Sequence, residues 1–191
     1  MEVLMMNVIT QFKHQDDNIK ISLIDMSMAA EVFDLVQANE AILRPWFPWV
    51  NSMKTMEDET AFIEYAQIRY QQQKEMVCTI MVNERIVGMI DLHNINLSTR
   101  TAEIGYWLSE NFQHRGLMQA CVDEFCNYSF HRLGLNEIKL LSRPNNQASR
   151  NVAKRCHFVL KAEIPVVRKI GDYDHDFVIY SRKSDLKADY R

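Results

Sequence analysis

The sequence lacks most features that mark membrane and secreted proteins. No apolar run approaches the ~20 residues that a membrane-spanning helix needs. Residues 1–6 are mostly apolar, but they have neither the basic segment nor the small-residue cleavage pattern of a secretory signal. From these absences we expect a cytoplasmic protein that has no membrane partner.

Paired cysteines and an excess of basic residues are also missing. Cys78, Cys121, Cys126 and Cys156 form no C-x-x-C pair, and three of them lie in apolar runs. They are predicted to be buried free thiols in a reducing compartment, and no metal site is expected. The net charge of −3 argues against direct binding of nucleic acid, which normally requires a basic face.

Internal repeats, low-complexity segments and interdomain linkers are absent as well. The 191 residues suit one domain, which we place at residues 19–182. Residues 1–18 are predicted to be an N-terminal arm or an extra edge strand, and residues 183–191 a C-terminal tail.

The hydrophobic pattern predicts strands and helices, with three antiparallel strands in series in the middle of the chain and a hairpin at its end. Strand-like runs occupy residues 19–24, 77–82, 86–95, 102–108, 138–141, 159–167 and 176–181. Before the second strand, a helix is predicted to begin after Thr55, with Ala61, Phe62, Tyr65 and Ile68 as its apolar stripe. The strands at 102–108 and 138–141 flank a helix and are therefore expected to run parallel.

A short turn has the composition of an anion-binding site. Residues 113–120 follow the strand at 102–108 and open a helix that is expected to reach about Leu133. The first N–H groups of a helix lack partners within it and carry partial positive charge. Gly116 has no Cβ, so a diphosphate can approach the backbone, and Arg115 adds a cation. A tight connection that binds nothing is the alternative explanation.

The same turn resembles the acetyl-CoA-binding motif of the GCN5-related N-acetyltransferase (GNAT) superfamily, Gln/Arg-x-x-Gly-x-Gly/Ala, through Gln113 and Gly116. Residues 102–108, Ala-Glu-Ile-Gly-Tyr-Trp-Leu, and 144–149, Pro-Asn-Asn-Gln-Ala-Ser, are most similar to the ribosomal-protein alanine and serine acetyltransferase branch. The resemblance covers roughly residues 19–182. It implies a single α/β domain with a mixed, mostly antiparallel, twisted sheet, splayed between its fourth and fifth core strands and covered by helices on both faces.

The resemblance also implies acetyl-CoA as cosubstrate and no metal. The pantetheine arm would lie in the splay and pair with the backbone at the positions that match Trp107 and Leu108. The N–H groups of the turn would hold the diphosphate. The cofactor-binding residues implied in this way are Trp107, Leu108, Gln113, His114, Arg115, Gly116, Leu117, Met118 and Asn146. His114 replaces the usual glycine of the family; we expect an outward side chain that offers a further phosphate contact, in a turn of less ideal geometry.

Two catalytic residues are carried over from the resemblance. Glu103 matches the glutamate that is the general base in parts of the superfamily, and Ser149 matches the hydroxyl that protonates the leaving thiolate. As alternatives, Glu103 is a buried carboxylate bonded to local backbone or to Arg100, and Ser149 is a helix-start residue.

The identity of the general base has more than one candidate. Some close relatives are proposed to use a glutamate in the last hairpin, and this chain has Arg168 there. Either Glu103 acts through water or catalysis depends mainly on positioning. His93 is a further candidate for base or substrate contact, with a structural role as the alternative.

An aromatic segment at residues 44–49, Arg-Pro-Trp-Phe-Pro-Trp, interrupts the helical pattern. It is either a hydrophobic lid over the core or one wall of the acceptor pocket. The resemblance favours the pocket wall, with Trp46 and Trp49 as substrate-binding residues.

Together these features predict an acetyl-CoA-dependent N-acetyltransferase that acts by direct attack of a primary amine. The expected acceptor and partner is the N-terminal amine of a ribosomal protein. Two rivals remain open: an acetyltransferase for aminoglycosides or polyamines, with Asp172, Asp174 and Asp176 lining its pocket, and an inactive acyl-CoA sensor, favoured by Arg168. The oligomeric state is also open, a homodimer included.

Overall fold

The β-branched runs of the sequence form one sheet of eight strands. The computed structural model describes residues 7–170 and 173–185, with side chains described for residues 7–163 and 176–185. The strands are β1 (Val8–His14), β2 (Asp17–Leu23), β3 (Met76–Val82), β4 (Arg85–Asn96), β5 (Thr101–Leu108), β6 (Glu137–Ser142), β7 (Val159–Ile170) and β8 (Tyr173–Lys183).

Five α-helices connect these strands within the described residues: α1 (Ala29–Ala38), α2 (Glu40–Leu43), α3 (Met56–Gln71), α4 (Leu117–His131) and α5 (Gln147–Arg155). Short 3₁₀ turns precede α1, α3 and α4. The Thr55 hydroxyl accepts the N–H of Asp58, and the Asp58 carboxylate accepts the N–H of Thr55. The predicted capping of α3 is therefore confirmed, because both side chains satisfy N–H groups that the helix cannot.

The order of the strands is β1-β2-β3-β4-β5-β6-β8-β7. Every neighbouring pair is antiparallel except β5 and β6, which run parallel because α4 connects them. The predicted fold class, a mixed and mostly antiparallel sheet in one α/β domain, is confirmed. Of residues 1–18, predicted to be an arm or an extra edge strand, residues 8–14 form strand β1 beside β2.

Each face of the sheet carries its own hydrophobic core. One core contains Leu117, Val122 and Phe125 of α4 and is closed by α5, while the other contains Val32 of α1 and Ile63 of α3. All four cysteines are buried and free, as predicted. Among the described residues, no cluster of His, Cys, Asp or Glu could hold a metal ion, and no helix is long and apolar enough to span a membrane.

The predicted apolar stripe of α3 is wrong. Tyr65 and Ile68 are exposed, and the buried positions are Glu59, Ile63 and Ala66. The two stripes lie on different faces of the same helix, and packing against the core that contains α1 and Trp107 buries the face of Ile63 and Ala66. Burial raises the pKa of Glu59 to about 7.

Several predicted boundaries also differ. The last hairpin is longer than predicted, because β7 and β8 extend to Ile170 and from Tyr173. Helix α4 ends at His131, and Gly134 follows with a φ of +68°. Asp172 lies outside the described residues, as do the side chains of Arg168 and Asp174.

Candidate active site

Strands β5 and β6 form a fork. Their register contains only the pairs Thr101–Glu137, Ala102–Ile138 and Glu103–Lys139, although β5 continues to Leu108 and β6 to Ser142. Beyond Glu103, β5 stays paired with β4, and β6 stays paired with β8. The two strands therefore separate at their carboxyl ends, and the backbone of each faces a crevice there.

The direction of the β5 backbone determines which residues face this fork. Ser109 donates its N–H to the Val87 carbonyl of β4 at 2.8 Å. Alternation along a strand then turns the backbone of Trp107 towards β4 and that of Tyr106 and Leu108 towards the fork. The expected cofactor pairing at Trp107 is therefore not supported, while the same expectation for Leu108 is compatible with the geometry.

Gly88 of β4 explains how closely Trp107 approaches. A Cβ at Gly88 would lie 2.3 Å from the Trp107 carbonyl oxygen, so only glycine fits at this position. The Trp107 side chain is buried in the core below α1 and α3. Trp107 thus anchors β5 to its neighbour and leaves the fork open.

The turn after β5 has the shape of an anion site. Gln113 donates its side-chain N–H to the Leu108 carbonyl at 2.9 Å, which ties the turn to the end of the strand. His114 and Gly116 both have left-handed backbones, with φ of +63° and +75°. Gly116 is the N-cap of α4, and the N–H groups of the following residues, Leu117, Met118 and Gln119, precede the first intrahelical bond.

The Arg115 side chain adds positive charge to the turn, and the side chains of the turn leave its backbone N–H groups accessible. His114, Arg115 and Gly116 are exposed, and the Arg115 guanidinium stacks on the Phe112 ring at 5.6 Å. Leu117 and Met118 have buried side chains, so they offer only backbone to a ligand. The left-handed backbone of His114 is a conformation that glycine adopts at lower cost, and the exposed His114 side chain points outward as predicted.

Glu103 lies at the branch point of the fork, within an array of three titratable side chains. His93 Nε2 lies 3.4 Å from Glu103 Oε2, and His93 Nδ1 lies 2.6 Å from Asp91 Oδ2. Asp91 and His93 share one face of β4, and His93 pairs with Glu103 across the strands. Gly105 makes room for Asp91, because a Cβ there would lie 2.5 Å from Asp91 Oδ1.

This arrangement argues against His93 as a base. Partial burial lowers the pKa of His93, but hydrogen bonds and charge from Asp91 and Glu103 outweigh it and raise the pKa to about 10. A group with that pKa is protonated at neutral pH, and both ring nitrogens then donate to carboxylates. His93 is therefore a cation that orients Glu103, so its structural alternative is favoured.

Asp91→Asn is expected to lower the pKa of His93 by about 1–3 units, because a neutral amide replaces a carboxylate at hydrogen-bond distance. The measurement is an NMR pH titration of the His93 ring signals. Asp25→Asn is the matched control, since Asp25 bonds Ser27 and Asn7, away from the fork. A wild-type His93 that titrates near 6.5 would contradict the ion-pair geometry.

Ser149 occupies the other side of the fork. It lies in the first turn of α5, where Asn146 is the N-cap and accepts the Ser149 N–H at 3.1 Å. The Tyr106 hydroxyl lies 3.4 Å from Ser149 Oγ and 3.3 Å from the Ser149 carbonyl oxygen. Asn146 therefore positions Ser149, and Tyr106 of β5 bridges to α5 across the opening. Burial raises the pKa of Tyr106 well above its usual range, so the hydroxyl stays neutral.

The aromatic segment lies on the face of the sheet that carries Glu103. Phe47 and Val50 pack in the core that contains the Trp107 side chain. Trp46 is half-buried, whereas Trp49 is 38% exposed and has its ring centroid 5.8 Å from that of Phe47. Within this segment, Phe47 supplies the anchor and the two tryptophans remain available to a ligand.

Sequence reasoning missed Asp91 and Tyr106. Asp91 stands two residues before His93, and two polar residues at that spacing in a buried strand indicate a shared polar face. Tyr106 lies within the motif at 102–108, but its partner is 43 residues away in α5. Asp176, one of the proposed pocket carboxylates, lies within β8 and has an exposed side chain.

The chain is similar to proteins named as acetyltransferases over most of its length. The sequence pattern of the family described as "Acetyltransferase (GNAT) domain" matches residues 21–159. YdaF of Bacillus subtilis (strain 168) is 26% identical over 168 residues, which are 87% of this chain and 91% of YdaF. The ribosomal-protein-serine acetyltransferase of Escherichia coli (strain K12) is 23% identical over 154 residues, 81% of this chain and 86% of the relative.

Solved structures show the same fold. The ribosomal L7/L12 α-N-protein acetyltransferase RimL in complex with coenzyme A superimposes with a TM-score of 0.86. The superposition covers 93% of this chain and 98% of RimL, at 24% sequence identity. With its family pattern, its fork and its glycine turn, this chain belongs to the GNAT acetyltransferase domain family.

Proposed function

We propose that this protein transfers the acetyl group of acetyl-CoA to the N-terminal α-amine of a protein, and that the acceptor is a ribosomal protein in the cytoplasm. The observation that carries the proposal is the fork between β5 and β6, which has the anion-binding turn at its open end and Glu103 at its branch point. The names of the Escherichia coli relative and of RimL support a ribosomal acceptor.

The cofactor fits this fork by simple chemistry. Pantetheine contains amide groups, and these can pair with the backbone of Tyr106 and Leu108 where β5 has left β6. The diphosphate then reaches the N–H groups at the start of α4, with Arg115 beside them. Gln113 keeps the end of β5 and the diphosphate turn at a fixed distance, since its side chain donates a hydrogen bond to the Leu108 carbonyl.

The reaction would take place between the two faces of the sheet. Glu103 projects to the α1–α3 face, while Tyr106 meets Ser149 on the α4–α5 face. The amine nitrogen attacks the thioester carbonyl, a C–N bond forms and the C–S bond breaks. Glu103 accepts the amine proton directly or through water, and the Ser149 hydroxyl donates a proton to the CoA sulfur. Proton exchange with water then returns a proton from Glu103 to the Ser149 oxygen, so both residues regain their starting states. The products are an N-acetyl amide and free CoA.

Charge favours an amine as the acceptor. Asp91, His93 and Glu103 together carry a net charge of −1 when His93 is protonated, so an ammonium group is attracted to the branch point. An α-amine has a pKa of about 7.7–8.0, which makes it easier to deprotonate than a lysine side chain. The site therefore favours a peptide N-terminus over an internal lysine.

Incubation with labelled acetyl-CoA tests this proposal. The acceptors are ribosomal N-terminal peptides, the same peptides with a blocked α-amine but a free lysine, polyamines and aminoglycosides. We expect label only on peptides with a free α-amine. Label confined to the small amines would assign the rival function, and CoA binding without any transfer would favour a sensor.

Ser149→Ala is expected to lower kcat about 10- to 100-fold, because the leaving thiolate loses its proton donor. The Kd for acetyl-CoA should stay within about 2-fold of the wild-type value, since Asn146 still caps α5 through the backbone N–H of residue 149. Single-turnover kinetics and calorimetry measure the two quantities. Ser98→Ala, in an exposed turn, is the matched control. Equal loss of rate and affinity would make Ser149 a binding residue only.

A further inference from the structure

We propose that strand β1 belongs to the cofactor site, because its last residue, His14, holds the diphosphate turn in the conformation that receives CoA. His14 Nε2 lies 2.9 Å from the Arg115 carbonyl oxygen. The inference depends on the proposed function, since it assigns a positioning residue to the same CoA turn. His14 contacts the turn and needs no contact with the cofactor itself.

The hydrogen bond has a defined direction. A carbonyl oxygen only accepts, so the Nε2 atom of His14 must carry the proton. The imidazole also lies against Gly116, because a Cβ there would lie 3.7 Å from His14 Cε1. His14 thus contacts two successive residues of the turn, 101 positions away in sequence from Arg115.

The packing of β1 against α4 places His14 beside Arg115 and Gly116. Phe12 packs against the core that contains Leu117 and Met118 of α4. Side chains two residues apart on a strand share a face, so His14 projects to the same side as Phe12, towards the start of α4. β1 is held in place by its antiparallel ladder with β2, which ends at the pair His14–Asp17.

The turn needs a support of this kind. His114 adopts a left-handed backbone that is costly for a residue with a side chain, and Gly116 adopts one that glycine can leave easily. The Arg115 carbonyl lies before the first helical acceptor, which is the Gly116 carbonyl bonded by Ala120. The bond from His14 satisfies that carbonyl and opposes relaxation of the strained turn. Preorganisation of a binding loop improves affinity because less ordering remains to be done on binding.

This element lies outside the matched family domain. The family pattern begins at residue 21, whereas β1 ends at His14. The sequence alone gave residues 1–18 no role, because neither β1 nor His14 belongs to a motif. The structure gives β1 a role through one side chain at a long sequence separation.

The test compares three variants by calorimetry with CoA. His14→Ala should weaken CoA binding about 5- to 10-fold, the usual effect of one hydrogen bond. His14→Gln should restore most of the affinity, because its amide can donate to the same carbonyl. Lys13→Ala, the neighbour on the opposite face of β1, should bind CoA as the wild type does.

Two further readouts separate positioning from general destabilisation. Steady-state kinetics of His14→Ala should show a higher KM for acetyl-CoA and an unchanged KM for the acceptor. Amide hydrogen exchange of residues 114–118 in the free protein should be faster in His14→Ala and return towards the wild-type rate in His14→Gln. Both effects follow if the bond from β1 orders the turn.

The outcomes distinguish this inference from the proposed function. If wild-type protein binds CoA and His14→Ala binds it equally well, the role of His14 is overturned and the proposed function stands. Failure of His14→Gln to restore affinity would also overturn the hydrogen-bond role. If wild-type protein does not bind CoA, the proposed function fails, and the role of β1 in a CoA site fails with it.

Discussion

Glu103→Gln is expected to lower the rate of acetyl transfer about 100-fold at pH 7 and much less at pH 9, because general-base catalysis contributes roughly 10²–10⁴-fold. At pH 7 about a tenth of an α-amine is neutral, given its pKa of about 7.7–8.0, so a base at the branch point matters most there. At pH 9 nearly all of the amine is neutral and the need for a base declines. The dependence of kcat/KM on pH should therefore become steeper in the mutant.

The measurement is a pH–rate profile between pH 6 and pH 9.5 with one peptide acceptor. Glu84→Gln is the control, because Glu84 is an exposed carboxylate paired with Lys20 in the turn between β3 and β4. His93 keeps Asp91 as a partner in Glu103→Gln, so the array should remain assembled. A mutant with the wild-type pH profile would remove Glu103 from the mechanism.

Gly116→Val is expected to weaken CoA binding at least about 10-fold while the protein still folds. A left-handed backbone costs a residue with a side chain about 1–2 kcal/mol, and a β-branched residue is especially unfavourable there. The protein itself leaves room, since the nearest atom to a Cβ at Gly116 is 3.7 Å away. Backbone strain, and not a steric clash, should therefore shift the turn in Gly116→Val. The loss of even one charge-assisted bond between the turn and the diphosphate costs about 1.5–3 kcal/mol.

Gly134→Val provides a matched control at the other end of α4. Gly134 has a φ of +68°, and nothing lies within 4 Å of a Cβ placed there. The two substitutions impose similar backbone strain at opposite ends of a helix of 15 residues, which is ~22 Å long. Both should reduce the melting temperature, but only Gly116→Val should reduce CoA affinity in calorimetry. Equal affinities in the two variants would contradict the diphosphate turn.

Local features of the site were predictable from the sequence. The strand, the glycine turn and the start of α4 lie within 30 residues of one another, and each depends on local chemistry such as the left-handed backbone of Gly116. The capping residue Thr55 and the buried cysteines follow from the same kind of reasoning. These predictions concern short segments, in which sequence spacing fixes the geometry.

Features that depend on cross-strand register were not predictable. Trp107 and Tyr106 are adjacent in sequence, and only the pairing with β4 decides which of them turns its backbone to the fork. The contact of Asp91 and His93 with Glu103 likewise needs the register of β4 against β5. In α3, two stripes of similar apolarity compete, and tertiary packing places Glu59 inside and Tyr65 outside.

The fork affects how well the folded protein resists unfolding and proteolysis. Among the residues that the structure describes, only three backbone pairs, all between β5 and β6, join the part of the sheet that contains β1–β5 to the part that contains β6–β8. A ligand that fills the gap would tie the two parts together, and mass action then makes the folded state harder to melt or digest as ligand concentration rises above Kd. If acetyl-CoA occupies the fork as proposed, a high cellular concentration of this thioester would slow the unfolding and proteolysis of the enzyme that consumes it.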